Sequence, residues 1–238
     1  MNTAVKVGSR LLIGGGQTVD HVESPYVFAS DDAGATVHRV PLPPIDGGQP
    51  STPVGDFGVN AKDVVGFGAA ATNAFDFHPT GTIPFWHSVD GGAHWTSGRI
   101  TGMPPGTRVH SVLYASGNWF AVGGYARAGA FYDSLPLVLT SQDGTHWIRV
   151  DSSAMGTGEI TAATVDSSGR PVLVGSTPQP KSKPNAAAVR CGSVWVGNGT
   201  TTGWKRGGLG CSEDPPTAAA TLADGRVLIA GNRDLWLS

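Results

Sequence analysis

The sequence predicts an all-β fold built from a repeated four-stranded antiparallel unit. Two observations carry this prediction. A Ser-x-Asp-x-Gly-x-x-Trp motif recurs along the 238 residues, and a short apolar segment that ends in small residues precedes each copy. The chain also contains 35 Gly and 17 Pro, only 14% of its residues are charged, and it has no helical periodicity. This composition favours short strands joined by tight turns over helices.

The motif has two clear copies, at residues 88–95 and 141–147, and two weaker ones. Residues 30–37 keep the Ser, Asp and Gly but end in Val37, whereas residues 197–204 keep only the closing Trp204. The four closing positions lie 58, 52 and 57 residues apart. A nearly fixed period of this size is typical of stacked or radially arranged units.

Each repeat contains signals for four strands in order. The first two strands form a hairpin around a tight turn, and the second of them ends in small residues, at residues 10–16, 63–68, 119–124, 171–175 and 226–231. A third strand leads into the motif and often begins with Pro, one of the few positions in a sheet that tolerates it. The motif then forms a turn, and a fourth strand follows, as at residues 147–150.

Four antiparallel strands per repeat predict a β-propeller, in which each repeat is one blade. The motif copies resemble Asp-boxes, also called BNR repeats, which occur in sialidase-like β-propellers. The resemblance implies that each Asp caps the turn between the third and fourth strands, and that each Trp packs between blades. The residues to which it assigns this structural role are Ser30, Asp32, Gly34, Ser88, Asp90, Gly92, Trp95, Ser141, Asp143, Gly144, Trp147 and Trp204.

We predict one domain of about five blades, with units at about residues 1–45, 46–104, 105–155, 156–212 and 213–238. The fifth unit stops where its motif should begin, so the last blade is expected to lack its outer strand. Three explanations are open: a five-bladed propeller with a shortened last blade, a longer protein, or a partner chain that completes the ring. An open blade edge would offer unpaired backbone groups to such a partner chain.

The connections between second and third strands are predicted to be long loops, at residues 17–24, 71–83, 125–135 and 177–187. Long loops at one end of a rigid scaffold are where binding usually occurs. Acidic, basic and aromatic residues in them suit a protein or glycan ligand, although the same residues could simply be solvated. The predicted binding residues are Asp20, His21, Glu23, Asp76, Phe77, His78, Arg127, Tyr132 and Asp133.

The prediction for function is a non-catalytic binding or assembly module. The alternatives are a sialidase-like glycoside hydrolase and a structural subunit that a partner chain completes at the open last blade. The resemblance would imply an arginine cluster, a Tyr nucleophile backed by Glu, and an early Phe/Tyr-Arg-Ile-Pro strand. The nearest string, at residues 38–41, follows the first motif copy instead of preceding it. Because only three Glu are present, a catalytic carboxylate pair would draw mainly on Asp, with Asp76 and Asp133 as candidates.

Cys191 and Cys211 are predicted to form a disulfide. They lie symmetrically about residue 201, close to the turn of a predicted hairpin. Residues equidistant from such a turn face each other across the two strands, at a separation that a disulfide can bridge. A disulfide would indicate an oxidising compartment, so that the protein would be secreted, surface-attached or part of a particle. Two buried free thiols in a cytosolic protein are the alternative.

Several function classes are excluded by composition. A formal charge of -2 with scattered Lys and Arg argues against a nucleic-acid partner. No apolar run reaches the length of a membrane span, and residues 1–16 do not resemble a signal peptide. His78 and His87 do not match the spacing of zinc ligands, and no glycine-rich segment opens a helix that could bind phosphate. We therefore expect neither a metal nor a cofactor.

Overall fold

The structure, a computed structural model, is an all-β propeller of five antiparallel sheets with an incomplete last blade, as the sequence predicted. It describes residues 2–19, 22–45, 52–68, 82–104, 106–127, 130–179, 189–198, 202–212 and 215–238. At residues 19, 22, 23, 127, 130–133 and 212 it describes the backbone alone. The boundaries between the five units remain a prediction.

Each sheet is formed by consecutive strands. Sheet 1 contains β1 (Thr3–Val7), β2 (Arg10–Val19), β3 (Val22–Ser30) and β4 (His38–Val40). Sheet 2 contains β5 (Val54–Asn60), β6 (Asp63–Gly68), β7 (Ile83–Ser88) and β8 (Thr96–Ile100). Sheet 3 contains β9 (Arg108–Ala115), β10 (Asn118–Arg127), β11 (Ala130–Ser141) and β12 (Ile148–Arg149). Sheet 4 contains β13 (Glu159–Val165), β14 (Pro171–Pro178), β15 (Arg190–Gly197) and β16 (Trp204–Ser212), and a short 3-10 helix (Ser153–Met155) precedes it. Sheet 5 contains β17 (Ala218–Thr221), β18 (Val227–Ala230) and β19 (Leu235–Leu237).

The sheets are arranged side by side, with their first strands next to one another. Strand β1 contacts β5, β5 contacts β9, β9 contacts β13, and β13 contacts β17. Four buried clusters fill the spaces between consecutive sheets. Across the described part of the chain, no such cluster lies between sheet 5 and sheet 1. Among the described residues, no packed apolar core therefore covers the outward faces of these two sheets.

Burial on both faces explains why the second strands are continuous apolar runs. In β10, Trp119 and Ala121 belong to the cluster between sheets 2 and 3, whereas Phe120 and Val122 belong to the cluster between sheets 3 and 4. All four side chains are at most 1% exposed. A sheet that is covered on both faces needs apolar residues at successive positions, unlike a sheet with one face in water.

Two predicted long loops are wrong. Strands β2 and β3 pair as far as Val19 and Val22, so only residues 20–21 connect them. Strands β10 and β11 likewise leave only residues 128–129 as a connection. The polar residues Gln17 and Thr18, which suggested a loop, are exposed because the hairpin extends beyond the buried core. Most of the other two predicted loops, at residues 71–83 and 177–187, lies outside the described residues.

The disulfide forms in sheet 4. Cys191 and Cys211 are opposite each other in the register of β15 and β16, and their sulfur atoms are 2.01 Å apart. The symmetry of the two cysteines about the hairpin turn therefore predicted their pairing correctly. In the described segments, no helix is long and apolar enough to span a membrane.

Candidate functional site

The two ends of the propeller differ in what they carry. We call the end at which the first and third strands of each sheet finish the turn end, because the Ser-x-Asp motifs follow the third strands there. The opposite end, where the first and third strands begin, is the loop end. Since strands alternate in direction within each sheet, Arg108 and Glu159, the first residues of β9 and β13, both lie at the loop end.

A polar cluster joins sheets 3 and 4 at the loop end. Arg108 Nε donates a hydrogen bond of 3.0 Å to Oε1 of Glu159, and His110 Nε2 lies 2.7 Å from the same oxygen. Ser134 Oγ donates to Oε2 of Glu159 at 3.2 Å and accepts a hydrogen bond of 3.1 Å from Arg108 Nη2. Both carboxylate oxygens of Glu159 are therefore occupied by neighbouring side chains.

The cluster holds Glu159 in its ionised form. Its side chain is 16% exposed, and this burial alone would raise its pKa. The hydrogen bond from His110 and the charges of His110 and Arg108 outweigh burial and lower the pKa to about 2. At neutral pH, Glu159 is therefore a carboxylate that accepts hydrogen bonds and carries no proton to donate.

A β-bulge places His110 in the cluster. Val109 pairs with Gly123 and Ser111 pairs with Val122, so His110 is an extra residue in β9. The bulge brings the two strands so close that a Cβ on Gly123 would lie 1.9 Å from the carbonyl oxygen of Arg108. Only glycine fits at such a position, which gives a physical reason for the small residues at the ends of the second strands.

A β-bulge also occurs in the first strand of each neighbouring sheet. Thr161 is the extra residue of β13, and a Cβ on Gly175 would lie 1.9 Å from the carbonyl oxygen of Glu159. Gly55 is the extra residue of β5, where the register shifts between Val54 and Asp56. The bulges therefore lie near the start of three first strands, close to the loop end.

Asp56 is a second buried acid on these first strands. It accepts hydrogen bonds from the backbone N–H of Val112 at 2.8 Å and from Thr3 Oγ1 at 3.1 Å. Burial raises its pKa, against the opposing effect of the hydrogen bond from Val112. Asp56 thus connects β1, β5 and β9 and is enclosed by them.

An open cleft adjoins the polar cluster at the loop end. Its volume is about 390 Å³, and it is lined by Tyr125, Leu135, Pro136, Arg149, Val150, Asp151, Ser152, Ser153, Gly156 and Thr157. The Arg149 guanidinium carbon lies 5.7 Å from the ring centroid of Tyr125, within the range of a cation–π contact. Gly158, which lies in the chain between Thr157 of the cleft and Glu159 of the cluster, donates its N–H to the carbonyl of Ser134 at 2.8 Å, so the cleft and the cluster are adjacent. An aromatic ring, an arginine and hydroxyl groups are suited to binding a polar ligand.

Most of the binding residues predicted from the sequence cannot be placed. Asp20, His21, Asp76, Phe77 and His78 lie outside the described residues. The backbones of four others belong to strands β3, β10 and β11, but their side chains are not described: Glu23, Arg127, Tyr132 and Asp133. Their roles in binding or catalysis remain predictions.

The sequence motifs did not indicate Arg108, His110, Glu159 or the cleft as parts of a site. One available signal was a charged or polar residue at the start of a first strand, opposite a glycine in the second strand, as in Arg108 and Gly124. Glycine in the interior of a strand often marks a bulge or a close approach of another backbone. That signal locates polar residues at the loop end, but it does not identify their partners.

The motif residues lie at the turn end, away from the cleft. In the clearest copy, Ser88 Oγ accepts a hydrogen bond from Gly92 N at 2.9 Å. Asp90 Oδ1 accepts from Ala93 N at 3.0 Å and from His94 N at 2.9 Å. The hydrogen bonds from His94 outweigh burial and lower the pKa of Asp90. Corresponding bonds occur in the turns that contain Asp32 and Asp143.

The tryptophans that close the motifs pack between sheets. Trp95 belongs to the cluster between sheets 1 and 2, and Trp147 packs against Phe67 of sheet 2 with ring centroids 4.9 Å apart. Trp204 packs against Phe120 of sheet 3 at 6.1 Å. Val37, which replaces Trp in the first motif, is 54% exposed. In each of the other cases the aromatic ring contacts the cluster shared with the preceding sheet, and the described residues form no such cluster on that side of sheet 1.

No protein-family model matches the chain, and no curated protein matches its sequence. Solved structures do share the fold. A Penicillium chrysogenum alpha-L-arabinanase complexed with arabinobiose has a TM-score of 0.59 and 11% identity, over 99% of this chain and 76% of the enzyme. A Trypanosoma rangeli sialidase has a TM-score of 0.55 and 14% identity, over 99% of this chain and 46% of the enzyme. YCF48 bound to D1 peptide has a TM-score of 0.54 and 14% identity, over 100% of this chain and 69% of that protein. At these identities the similarity shows a shared β-propeller fold.

Proposed function

We propose that this protein is a non-catalytic binding module that recognises a protein or glycan ligand at its loop end. The proposal rests on the hydrogen bonding of Glu159, the buried acid at that end. Both oxygens of Glu159 are occupied by hydrogen bonds, whereas the adjacent cleft of about 390 Å³ is open. Glu159 thus serves the scaffold, and the open cleft beside it, which Asp151 also lines, is suited to a ligand.

The chemistry of glycoside hydrolysis supports this assignment. Most glycosidases need one protonated carboxyl and one carboxylate on either side of the scissile bond. Glu159 is ionised at neutral pH, because its pKa is about 2. Asp56 has a raised pKa, but hydrogen bonds from Thr3 and Val112 enclose it. These two acids therefore do not supply a catalytic pair.

Binding can be tested on glycan and peptide arrays with the whole chain. The Arg149→Ala variant removes the guanidinium that stacks on Tyr125 in the cleft. Arg226→Ala is a matched control, because Arg226 forms an ion pair with Asp224 in a hairpin turn at the opposite end. We expect Arg149→Ala to weaken binding of the selected ligand and Arg226→Ala to leave it unchanged. Equal effects of both variants would contradict a site in the cleft.

A glycoside hydrolase is the second candidate function, and two of the similar structures support it. The arabinanase and the sialidase share the fold, and the motif copies, which we propose to be Asp-boxes, resemble those of sialidase-like propellers. Asp76 and Asp133 would then carry the catalysis. Hydrolysis of aryl glycosides that is lost in Asp76→Asn or Asp133→Asn would establish this function and overturn the non-catalytic one.

The disulfide supports a location outside the cytoplasm. Structural disulfides persist in oxidising compartments and are rare in the cytosol. We therefore propose that the protein works as a secreted, surface-attached or particle-associated module. Recovery of the native protein with free thiols at Cys191 and Cys211 would contradict this location.

A peptide is a ligand that this fold can bind, since YCF48, which shares the fold, is bound to a peptide.

A further inference from the structure

A second arginine lies beside the loop-end cleft. Arg206 is an exposed residue of β16, the outer strand of sheet 4, and β16 contacts the 3-10 helix whose first residue, Ser153, lines the cleft. A Cβ on Gly156, another lining residue, would lie 3.8 Å from Nη1 of Arg206. The guanidinium of Arg206 therefore lies at the cleft wall that the segment between sheets 3 and 4 forms.

Two hydroxyl groups hold the Arg206 guanidinium in place. Its Nη2 atom donates hydrogen bonds to Thr177 Oγ1 at 3.0 Å and to Ser193 Oγ at 3.2 Å. Both hydroxyl groups belong to buried residues, in β14 and β15. Hydrogen bonds to neutral hydroxyl groups fix the position of a guanidinium, but they leave its positive charge uncompensated.

The described part of the cleft carries more positive than negative charge. Arg149 lines the cleft and Arg206 lies at its wall, and neither forms an ion pair with a described carboxylate. Asp151 is the acidic residue among the described lining residues. The hydrogen bond from Ser153 N, of 2.9 Å, and the charge of Arg149 lower the pKa of Asp151, which is therefore ionised at neutral pH. Two guanidinium groups and one carboxylate leave an excess of one positive charge.

The aromatic ring of the cleft is already covered. Tyr125 is the aromatic residue among the described lining residues, and the Arg149 guanidinium carbon lies 5.7 Å from its ring centroid. Tyr125 also packs against the cluster between sheets 2 and 3, so little of its ring is left for a sugar to stack on. A cleft with guanidinium and hydroxyl groups instead suits a carboxylate, which accepts charge-assisted hydrogen bonds. Arginine is also enriched at protein interfaces.

We propose that the cleft binds an acidic segment of a partner polypeptide, whose carboxylates contact Arg149 and Arg206; this rests on the proposed function and names the chemistry of its ligand. Charge-assisted hydrogen bonds are about twice as strong as neutral ones. The whole chain has a formal charge of -2, so the attraction of an acidic segment depends on the local excess of positive charge at the cleft.

A fluorescently labelled hexaglutamate peptide is the probe, and the corresponding hexaglutamine peptide is its uncharged counterpart. In an anisotropy titration of the whole chain at low salt, we expect hexaglutamate to bind saturably. Hexaglutamine should bind at least about tenfold more weakly, because it lacks the carboxylates. Binding of hexaglutamate should also weaken as the salt concentration rises, because both guanidinium groups are exposed to solvent.

Two neighbouring residues of β16 distinguish this site from a general effect of charge. Arg206→Gln should weaken the binding of hexaglutamate about tenfold. Lys205→Gln removes the same charge at the adjacent position, where the side chain points to the opposite face of sheet 4, and should change the affinity less than about threefold. Arg206→Lys keeps the charge and should bind more tightly than Arg206→Gln, which separates loss of charge from loss of the fold.

Several outcomes would overturn the proposal. Equal binding of the two peptides would do so, as would equal effects of Arg206→Gln and Lys205→Gln. If hexaglutamate does not bind but a neutral array ligand loses affinity in Arg149→Ala, the acidic ligand is refuted and the proposed function stands. If an oligosaccharide of uronic acids binds, Arg206→Gln weakens it and hexaglutamate does not bind, a polypeptide is refuted as the ligand. Absence of any array ligand whose binding depends on Arg149 would refute the proposed function itself.

Discussion

Replacing Glu159 with Gln tests whether the polar cluster stabilises the fold. The pKa of Glu159 falls from its ordinary value of 4.5 to about 2 in the folded protein. Each pKa unit corresponds to about 1.4 kcal/mol, so the ionised cluster contributes about 3 kcal/mol to stability. Because the side chain is only 16% exposed, solvent screening reduces this value little. We therefore expect Glu159→Gln to lower the free energy of unfolding at neutral pH by about 2–3 kcal/mol.

The dependence on pH gives this prediction its specificity. A carboxyl whose pKa is lowered by folding stabilises the protein fully above its unfolded pKa. Its contribution is lost as the pH falls toward its folded pKa. For Glu159, the difference between wild type and variant should therefore be complete above about pH 5 and shrink progressively as the pH approaches about 2. Denaturant unfolding followed by tryptophan fluorescence at several pH values measures this difference.

An exposed ion pair provides the matched control. Asp224 also interacts with an arginine, Arg226 Nη2, at 2.7 Å, but both side chains are about half exposed, at 50% and 52%. Exposed pairs contribute little to stability, so Asp224→Asn should leave the unfolding free energy nearly unchanged. The reasoning would be refuted by equal effects of the two substitutions. A Glu159→Gln difference that stays constant as the pH falls would refute it as well.

Three further predictions concern the scaffold. Gly123→Ala should destabilise the protein by about 2 kcal/mol or more in thermal unfolding, because the added Cβ would lie 1.9 Å from the Arg108 carbonyl oxygen. Gly208→Ala is the control, because a Cβ at that position would have no atom within 4 Å. Asp90→Ala should lower the melting temperature, because it removes the acceptor for Ala93 N and His94 N. Asp31→Ala is the control and should have little effect, because it removes only a surface ion pair with Arg10. Reduction of the disulfide with a thiol reductant should raise the intact mass by two hydrogen atoms. The double variant Cys191→Ala and Cys211→Ala should lose about 3 kcal/mol, since the bond closes a loop with a sequence separation of 20; unchanged stability would contradict this.

The strand order and the turns could be predicted from the sequence because the interactions that define them are local. Asp90 accepts hydrogen bonds from residues three and four positions ahead, and Trp95 Nε1 donates to the carbonyl of Gly92 at 3.1 Å. All residues that form such a turn lie within eight consecutive positions of the chain. The hairpin turn likewise sets the register of β15 and β16 next to it, and a bulge between Cys191 and Ser193 then shifts that register by one residue and brings Cys191 opposite Cys211.

The lengths of the hairpins at the loop end were less predictable. Residues 17–24 and 125–135 contain polar residues that usually indicate a loop, yet most of them continue as paired strands. Backbone pairing alone can extend a hairpin beyond the core, where side chains such as Gln17 and Thr18 remain in water. No apolar pattern then distinguishes strand from loop.

By itself, the sequence determined the all-β class, the repeated four-stranded unit, the capped turns and the pairing of Cys191 with Cys211. Only the tertiary structure decided which polar residues meet at the loop end. Glu159 lies 51 residues from Arg108 and 49 from His110 in the chain, and these residues meet because β9 and β13 are neighbouring first strands. Their contact depends on how two sheets pack and on where each strand bulges. Residue spacing within one repeat carries no information about either.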